Sequence, residues 1–221
     1  ILLIANPLND AGDVENQMED RPAFSEAESD VVRDWVRAGG ALLLIVDHTP
    51  WGAAARNLAR RFDIDMSNSY TRDASNYDRD YGSLSAVIYS RENQNLADHP
   101  ITRGRIASEK VNVVETFTGQ SLKGPSESVA FLKLSDMATD ELPSPTGAKE
   151  KPPRVSAAGR AQGVAFRFGR GRVVVLGEAA MLSAQIAGSG EGQYRVGMNR
   201  ACIDNRQLAL NIMHWLSGLL R

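Results

Sequence analysis

Two ionisable side chains stand at the end of an unbroken apolar run. In "GGALLLIVDHTPWG", six apolar residues from Ala41 to Val46 lead directly into Asp47 and His48. A second apolar run, "RVVVLGE", ends in a similar way on Glu178. A carboxylate beside an imidazole can hold a cation, abstract a proton or pass one on. A carboxylate at a strand exit can be a general base, a metal ligand, or an acceptor for main-chain N–H groups at a helix start. Neighbouring side chains on an extended strand point to opposite faces, so Asp47 and His48 serve one site only where the chain turns. The Thr49-Pro50 that follows favours such a turn. The structural alternative is that Asp47 caps the next helix and His48 fills space.

Other positions join these three as candidates. Asn6 follows the apolar "ILLIA", and Thr116 and Thr118 follow "VNVVE". His99, in "DHPITRG", reads either as a turn histidine or as a ligand contact. Asn199 and Asn205 precede the last helical pattern and either cap and turn the chain or line a crevice from above. His214 lies close to the apolar face of that pattern, which points to a hydrogen-bonded core or boundary histidine. Cys202 has no base beside it in sequence and reads as a bystander.

The absences narrow the chemistry. There is no G-x-S-x-G elbow or Cys equivalent, no Walker A, no G-x-G-x-x-G after a strand, no H-E-x-x-H and no C-x-x-C. Nucleotide binding and Ser or Cys hydrolysis therefore lack support. The single cysteine excludes an internal disulfide and a Cys-rich metal site. A divalent cation held by Asp47, His48 and Glu178 is chemically reasonable, though nothing demands it. The formal charge of −2, with no block of Lys and Arg, gives nucleic-acid binding no support. No stretch reaches the length of a membrane helix.

The elements that must position these residues alternate. "ILLIA" reads as a buried strand, followed by a polar loop at 9–22. Ser25 and Glu28 form a capping box, and Val31, Val32, Trp35 and Val36 repeat at helical spacing until Gly39-Gly40. "ALLLIVD" lacks polar alternation, as a strand buried on both faces of a parallel sheet would. A helix is expected across 53–61 and a short strand at "FDIDM". Residues 67–98 read as a long polar surface excursion with one strand near Val87. "VNVVE" and "SVAFLKL" read as strands, and 135–160 as a Pro-rich loop. "VAFRFGRGRVVVL" reads as a hairpin, and a helix begins near Asp204 with Leu208, Ile212, Trp215, Leu216 and Leu219 on one face. With 221 residues and 43% hydrophobic composition, the chain is expected to form one α/β domain, 1–221, with a mostly parallel sheet. In such folds ligands sit beyond the carboxyl ends of the strands.

These stretches resemble a known group. "F-x-x-x-E-x-x-x-x-x-x-W-V-x-x-GGALLLIVDH", "DHPITRG", "GRGRVVVLGEAAMLSAQ" and "DNRQLALNIMHWLSGLL" resemble the DUF4350 type of class I glutamine amidotransferase-like proteins. The last two are also similar to auxiliary domains of gliding-motility ABC transport systems, and "HPITRG" to trehalose-utilisation-like domains. The resemblance implies a flavodoxin-like three-layer α/β/α sandwich. It also implies that this chain lacks an upstream strand–helix unit and favours a periplasmic or extracytoplasmic place, with the cytoplasm also compatible. Amidotransferases of the superfamily carry a Cys on a turn after a strand, with His and Glu partners. Here Asp47-His48 follows the comparable strand and no Cys does, so amidotransferase activity is not implied.

Three readings follow. One is a binding domain for a small polar molecule, carbohydrate or peptidic, that lacks the Cys nucleophile. Another is a metal-assisted hydrolase of esters, lactones or glycosides using Asp47, His48 and Glu178, with Asn6, His99, Thr118, Asn199 and Asn205 around the ligand. The third is a structural module, partnered by further copies of itself or by an envelope or transport complex.

Overall fold

The computed structural model describes residues 1–9, 21–144 and 150–221. Most of the polar stretch expected as a loop at 9–22, and residues 145–149 of the Pro-rich stretch, lie outside them. The first half contains β1 (Leu2–Ala5), α1 (Glu26–Arg37), β2 (Ala41–Ile45), α2 (Trp51–Ala54), α3 (Arg56–Arg60) and β3 (Asp65–Met66). Next come β4 (Tyr70–Asp73), β5 (Ile88–Ser90), α4 (Pro100–Arg103), β6 (Val113–Glu115), β7 (Leu122–Lys123) and β8 (Val129–Lys133). The chain closes through β9 (Ala138–Glu141), β10 (Arg154–Ser156), β11 (Ala161–Phe168), β12 (Gly171–Leu176), β13 (Ala184–Ala187), β14 (Tyr194–Gly197) and α5 (Asn205–Leu216).

The central sheet has seven strands in the order β1-β2-β12-β11-β7-β3, with β8 also paired to β11. β2 is parallel to both β1 and β12 and buried along its whole length, as its unbroken apolar run requires. Alternate side chains feed two cores. Leu42 and Leu44, with Val173 and Val175, pack under Val36 of α1 and Leu58 of α3. Leu43 and Ile45, with Val174 and Leu176, pack under Leu208, Ile212 and Trp215 of α5. The result is a helix–sheet–helix sandwich in which burial of two apolar faces holds the parallel strands rigid.

The sheet is mixed rather than mostly parallel. The Gly169-Arg170 turn folds β11 back against β12, and β7 and β8 then pair antiparallel to β11. Only the β1–β2 and β2–β12 pairings are parallel, and β11 and β3 run against the other strands. The expected hairpin is thus the element that ends the parallel half.

Local signals account well for the helices. Ser25 Oγ accepts the Glu28 N–H at 3.2 Å while Glu28 returns a carboxylate to the Ser25 N–H at 2.9 Å, the reciprocal box that starts α1. The helix expected across 53–61 is instead two short pieces that meet at Ala55. α5 buries Leu208, Ile212, Trp215 and Leu216 as expected, whereas Leu219 lies beyond its end and is exposed.

The excursion at 67–98 is built into the fold rather than lying over it. β4 pairs with β9, and β9 with β10, in a separate antiparallel sheet that also organises part of the expected loop at 135–160. β5 pairs with β6. Polar side chains hide these strands from a hydropathy reading because they supply the bonds that make burial tolerable. Asp73, fully buried, accepts from the main-chain N–H groups of Ser75, Asn76 and Ser135 and from the Ser135 hydroxyl.

Candidate functional site

Parallel register brings the three strand exits together. Ala5 pairs with Ile45, and Ile45 with Leu176. The ladder continues one step through Asn6 N–H to Ile45 O and Val46 N–H to Leu176 O, both 2.9 Å. Asp47 and Glu178 each lie two residues past the Ile45–Leu176 pair, so they leave adjacent strands side by side, about 4.8 Å apart along the hydrogen-bonding direction. Asn6 stands on the other flank, and its Oδ1 accepts the Asp47 N–H at 2.9 Å.

Glu178 is buried and Asp47 beside it half-buried. Glu178 is 1% exposed; its Oε1 accepts the Ala180 N–H at 2.6 Å and its Oε2 the Met181 N–H at 2.7 Å. Burial, then the charge of Asp47, pushes Glu178 up to about 8, against hydrogen bonds from the main-chain N–H groups of Met181, Ala180 and Phe117. Asp47 is raised as well, again by burial, and opposed by the adjacent His48 and by the main-chain N–H groups of His48 and Ala179. The charge of Asp47 adds to the burial of Glu178, so Glu178 keeps its proton near neutral pH.

His48 is held by other groups. Its main-chain N–H, not its ring, bonds to Asp47 Oδ1 at 2.8 Å. Ring Nδ1 lies 2.7 Å from the Thr49 carbonyl oxygen. A carbonyl only accepts, which assigns the ring proton to Nδ1 and leaves Nε2 as the acceptor of the neutral imidazole. The ring stacks on Tyr70 at 4.6 Å and meets Trp51 edge-on at 4.9 Å between centroids. The side chains therefore make no Asp–His proton relay; they place two carboxyls beside an aromatic cluster.

The segment after β6 completes the site, and its backbone is strained there. Thr118 has φ of 116° and Asn6 has φ of 44°, values that L side chains adopt rarely. Gly119 packs so closely on Gly177 and Glu178 that a Cβ would collide with the Gly177 carbonyl oxygen. Gln120 braces the turn: its Nε2 donates to the carbonyls of Val46 at 3.1 Å and Asp47 at 2.6 Å, and its Oε1 accepts the Asn68 N–H at 2.9 Å. Buried Gln162 accepts the Thr116 and Tyr89 hydroxyls at Oε1, both at 2.7 Å, while its Nε2 has no partner.

Asn6, Asp47, His48, Thr118 and Glu178 thus share one region, and three other candidates do not join it. Asn205 spends its side chain on the main chain of Glu115, accepting its N–H at 3.0 Å and donating to its carbonyl at 2.8 Å. Asn199 donates to the Gln185 carbonyl at 3.5 Å. His99 caps α4, its Nδ1 accepting the Ile101 N–H at 3.2 Å, and packs on Trp215 of α5 near the opposite end of the strands. Cys202 is exposed in the turn before α5, and His214 Nδ1 is buried without the hydrogen bond expected of it. Among the described residues no group of three or more His, Cys, Asp or Glu is arranged to hold a metal ion.

Sequence reasoning missed Trp51, Tyr70, Gln120 and Gln162. Trp51 carried a signal, since it lies three residues past His48 in the same turn. The others reach the site through pairings of β4, β7 and β11 that no local pattern encodes. Also missed was a second carboxyl pair, this one buried. Glu115 is fully buried beside Asp78, and Arg200 Nε lies 2.6 Å from Glu115 Oε2 while the same guanidinium bonds Asp78. Burial, then the hydrogen bond with Asp78, raises Glu115 to about 8.

The chain is, then, an α/β protein whose mixed sheet carries a polar cluster at its parallel strand exits. No protein-family model matches it, and no curated protein matches its sequence. Among solved structures, the mmIFT52 N-terminal domain is similar, with a TM-score of 0.56 and 17% identity over 88% of this chain and 72% of that one. Cytoplasmic Protein STM1381 from Salmonella typhimurium LT2 aligns over 99% of this chain and 71% of that one, with a TM-score of 0.42 and 12% identity. The first likeness shows a shared fold and says nothing of chemistry. No helix among the described residues is long and apolar enough to cross a membrane.

Proposed function

We propose that the strand-exit cluster binds a small polar molecule, carbohydrate or peptidic, and does not turn it over. The observation that carries this reading is the commitment of His48. Its ring nitrogen bonds the Thr49 carbonyl and its main-chain N–H bonds Asp47, so the two side chains make no base–orienter pair. What remains accessible to a ligand is recognition chemistry: the half-buried Asp47 carboxyl, with buried Glu178 behind it, the His48 imidazole, and half-buried Tyr70 and Trp51. Strain at Asn6 and Thr118 supports the same assignment, because such backbone persists where the surroundings over-determine it and concentrates at binding and catalytic sites. Membership of the glutamine amidotransferase-like superfamily, a flavodoxin-like classification and a place outside the cytoplasm belong to this proposal and rest on the sequence resemblance.

One observation favours a hydrolase instead: a carboxyl held protonated beside a second one is the arrangement used for acid–base catalysis. Calorimetric titration with monosaccharides, disaccharides and dipeptides, run alongside a screen with ester, lactone and glycoside substrates with and without added divalent metal, separates the two. Binding without turnover, weakened in Asp47→Asn and Tyr70→Ala, supports the proposal. Turnover that is lost in Asp47→Asn overturns it in favour of the hydrolase.

A further inference from the structure

A second cavity lies at the far end of the sheet. Arg167 pairs with Arg172, and Arg172 with Ala41, at the start of β2. Six residues of strand separate Ala41 from Asp47, or about 20 Å at 3.3 Å per residue. Here a pocket of about 310 Å³ opens between α4, α5 and the β8–β11 edge. Its apolar wall includes Val129, Phe166 and Trp215, and Arg167 and Arg221 stand at it, with Glu127 also lining the rim.

Apart from Glu127, the ionisable side chains lining this pocket are a histidine and two arginines. His99 is 7% exposed, and because its Nδ1 accepts the Ile101 N–H, the neutral ring carries its proton on Nε2. No hydrogen bond from that N–H is formed among the described residues, and His99 lines the pocket. Burial, then the charge of Arg103, lowers His99 to about 4, which keeps the ring neutral near pH 7. Arg172 lies over the Trp215 ring at 5.3 Å and caps the end of α5 through the carbonyls of Trp215 and Leu220, neutralising the negative helix end. Burial and the charges of Arg167 and Arg221 lower its affinity for its proton. Among the described residues no carboxylate forms an ion pair with Arg167, Arg172 or Arg221. Arg167 and Arg221 therefore each repel Arg172, and both line a pocket that one buried imidazole also lines.

We infer that this pocket is a second binding site, for a small anion with a flat apolar body such as an aromatic carboxylate or an aryl phosphate. The ring of such a ligand lies against Pro100 and Val129, beside the edge of Trp215, and its anionic end takes the Arg167 and Arg221 guanidiniums and the His99 Nε2–H. This pairing relieves the repulsion among the arginines and supplies the acceptor that the histidine lacks. Glu127 at the rim disfavours an anion placed outside the arginine side of the pocket.

Calorimetric titration of the whole chain with phenyl phosphate and with benzoate, followed in parallel by tryptophan fluorescence, tests the inference. Saturable binding of either anion is expected, with a Kd weakened about tenfold or more in Arg167→Met and in Arg221→Met, as loss of a charge-assisted contact implies. Benzyl alcohol, which has the ring without the charge, should bind at least about tenfold more weakly. Both arginines are exposed, so these variants should melt with the wild type, and Asp47→Asn at the other pole should bind the anions unchanged. Failure of both anions to bind, equal binding of benzyl alcohol, or indifference to both arginine substitutions overturns the inference.

Discussion

Replacing Glu178 by Gln should halve the steepest part of the pH dependence of folding. Glu178 and Glu115 are each raised from an ordinary 4.5 to about 8, chiefly by burial. A carboxyl with a raised folded-state pKa holds a proton that the unfolded chain releases. Its stabilising contribution is full below pH 4.5, declines as the pH rises, and is gone above about 8. Asp47 shares its titration with Glu178, so the pair counts as one proton near neutrality. Each retained proton gives a slope of about 1.4 kcal/mol per pH unit. Two protons, partly lost as pH 8 is approached, amount to a fall of about 2 kcal/mol between roughly pH 6.5 and 7.5. Below that window His99 opposes the trend. Its folded pKa of about 4 lies under the ordinary 6.5, so the unfolded chain binds the extra proton there and the fall is shallower. Urea denaturation at half-unit pH steps gives the wild-type curve. Glu178→Gln removes one proton and should reduce the fall to about 1 kcal/mol, whatever it does to stability at a single pH. A wild-type stability that is flat or rising across this window, or a Glu178→Gln curve parallel to it, would refute the reasoning.

Two further outcomes follow from the packing. Arg200→Met strands the Asp78 carboxylate, beside a protonated Glu115, without its cation, and urea denaturation near neutral pH should show a loss of about 3 kcal/mol, as for one partner of a buried ion pair. Ser25→Ala removes the side-chain half of the capping box at α1 and should cost about 1 kcal/mol by the same measurement, with helix content nearly unchanged by circular dichroism.

What the sequence made legible was local. The Ser25–Glu28 box, the unbroken run of β2 and the β11–β12 hairpin each lie within one short stretch of chain, and each is found where those residues put it. The meeting of Asp47 with Glu178 was legible only in outline, because the register that joins Ile45 to Leu176 spans most of the chain. The mixed character of the sheet was not read. β7 and β8 are short, and their pairing with β11 is decided by packing over Phe131 and Leu132 rather than by periodicity. β4 and β9 escaped because Thr71, Asp73 and Asp140 are polar yet buried, and β10 because it is short and exposed. The Thr71 and Ser121 hydroxyls both donate to Asp140 at 2.6 Å, which removes the cost that a hydropathy pattern assumes. His99 was grouped with the strand-exit residues on type alone, and the direction of β11 carries its surroundings to the other pole.

The proposal that the strand exits bind a polar ligand without catalysis is tested most directly at the Trp51 indole and the His48 ring. Nuclear magnetic resonance of the labelled chain, titrated with the saccharide and dipeptide panel, reads both side chains while the free ligand signals report any product. The account predicts saturable shifts at Trp51 and His48, ligand spectra unchanged over hours, and loss of the response in Asp47→Asn. Resonances that do not move with any member of the panel, or ligand signals converting to product, would contradict it.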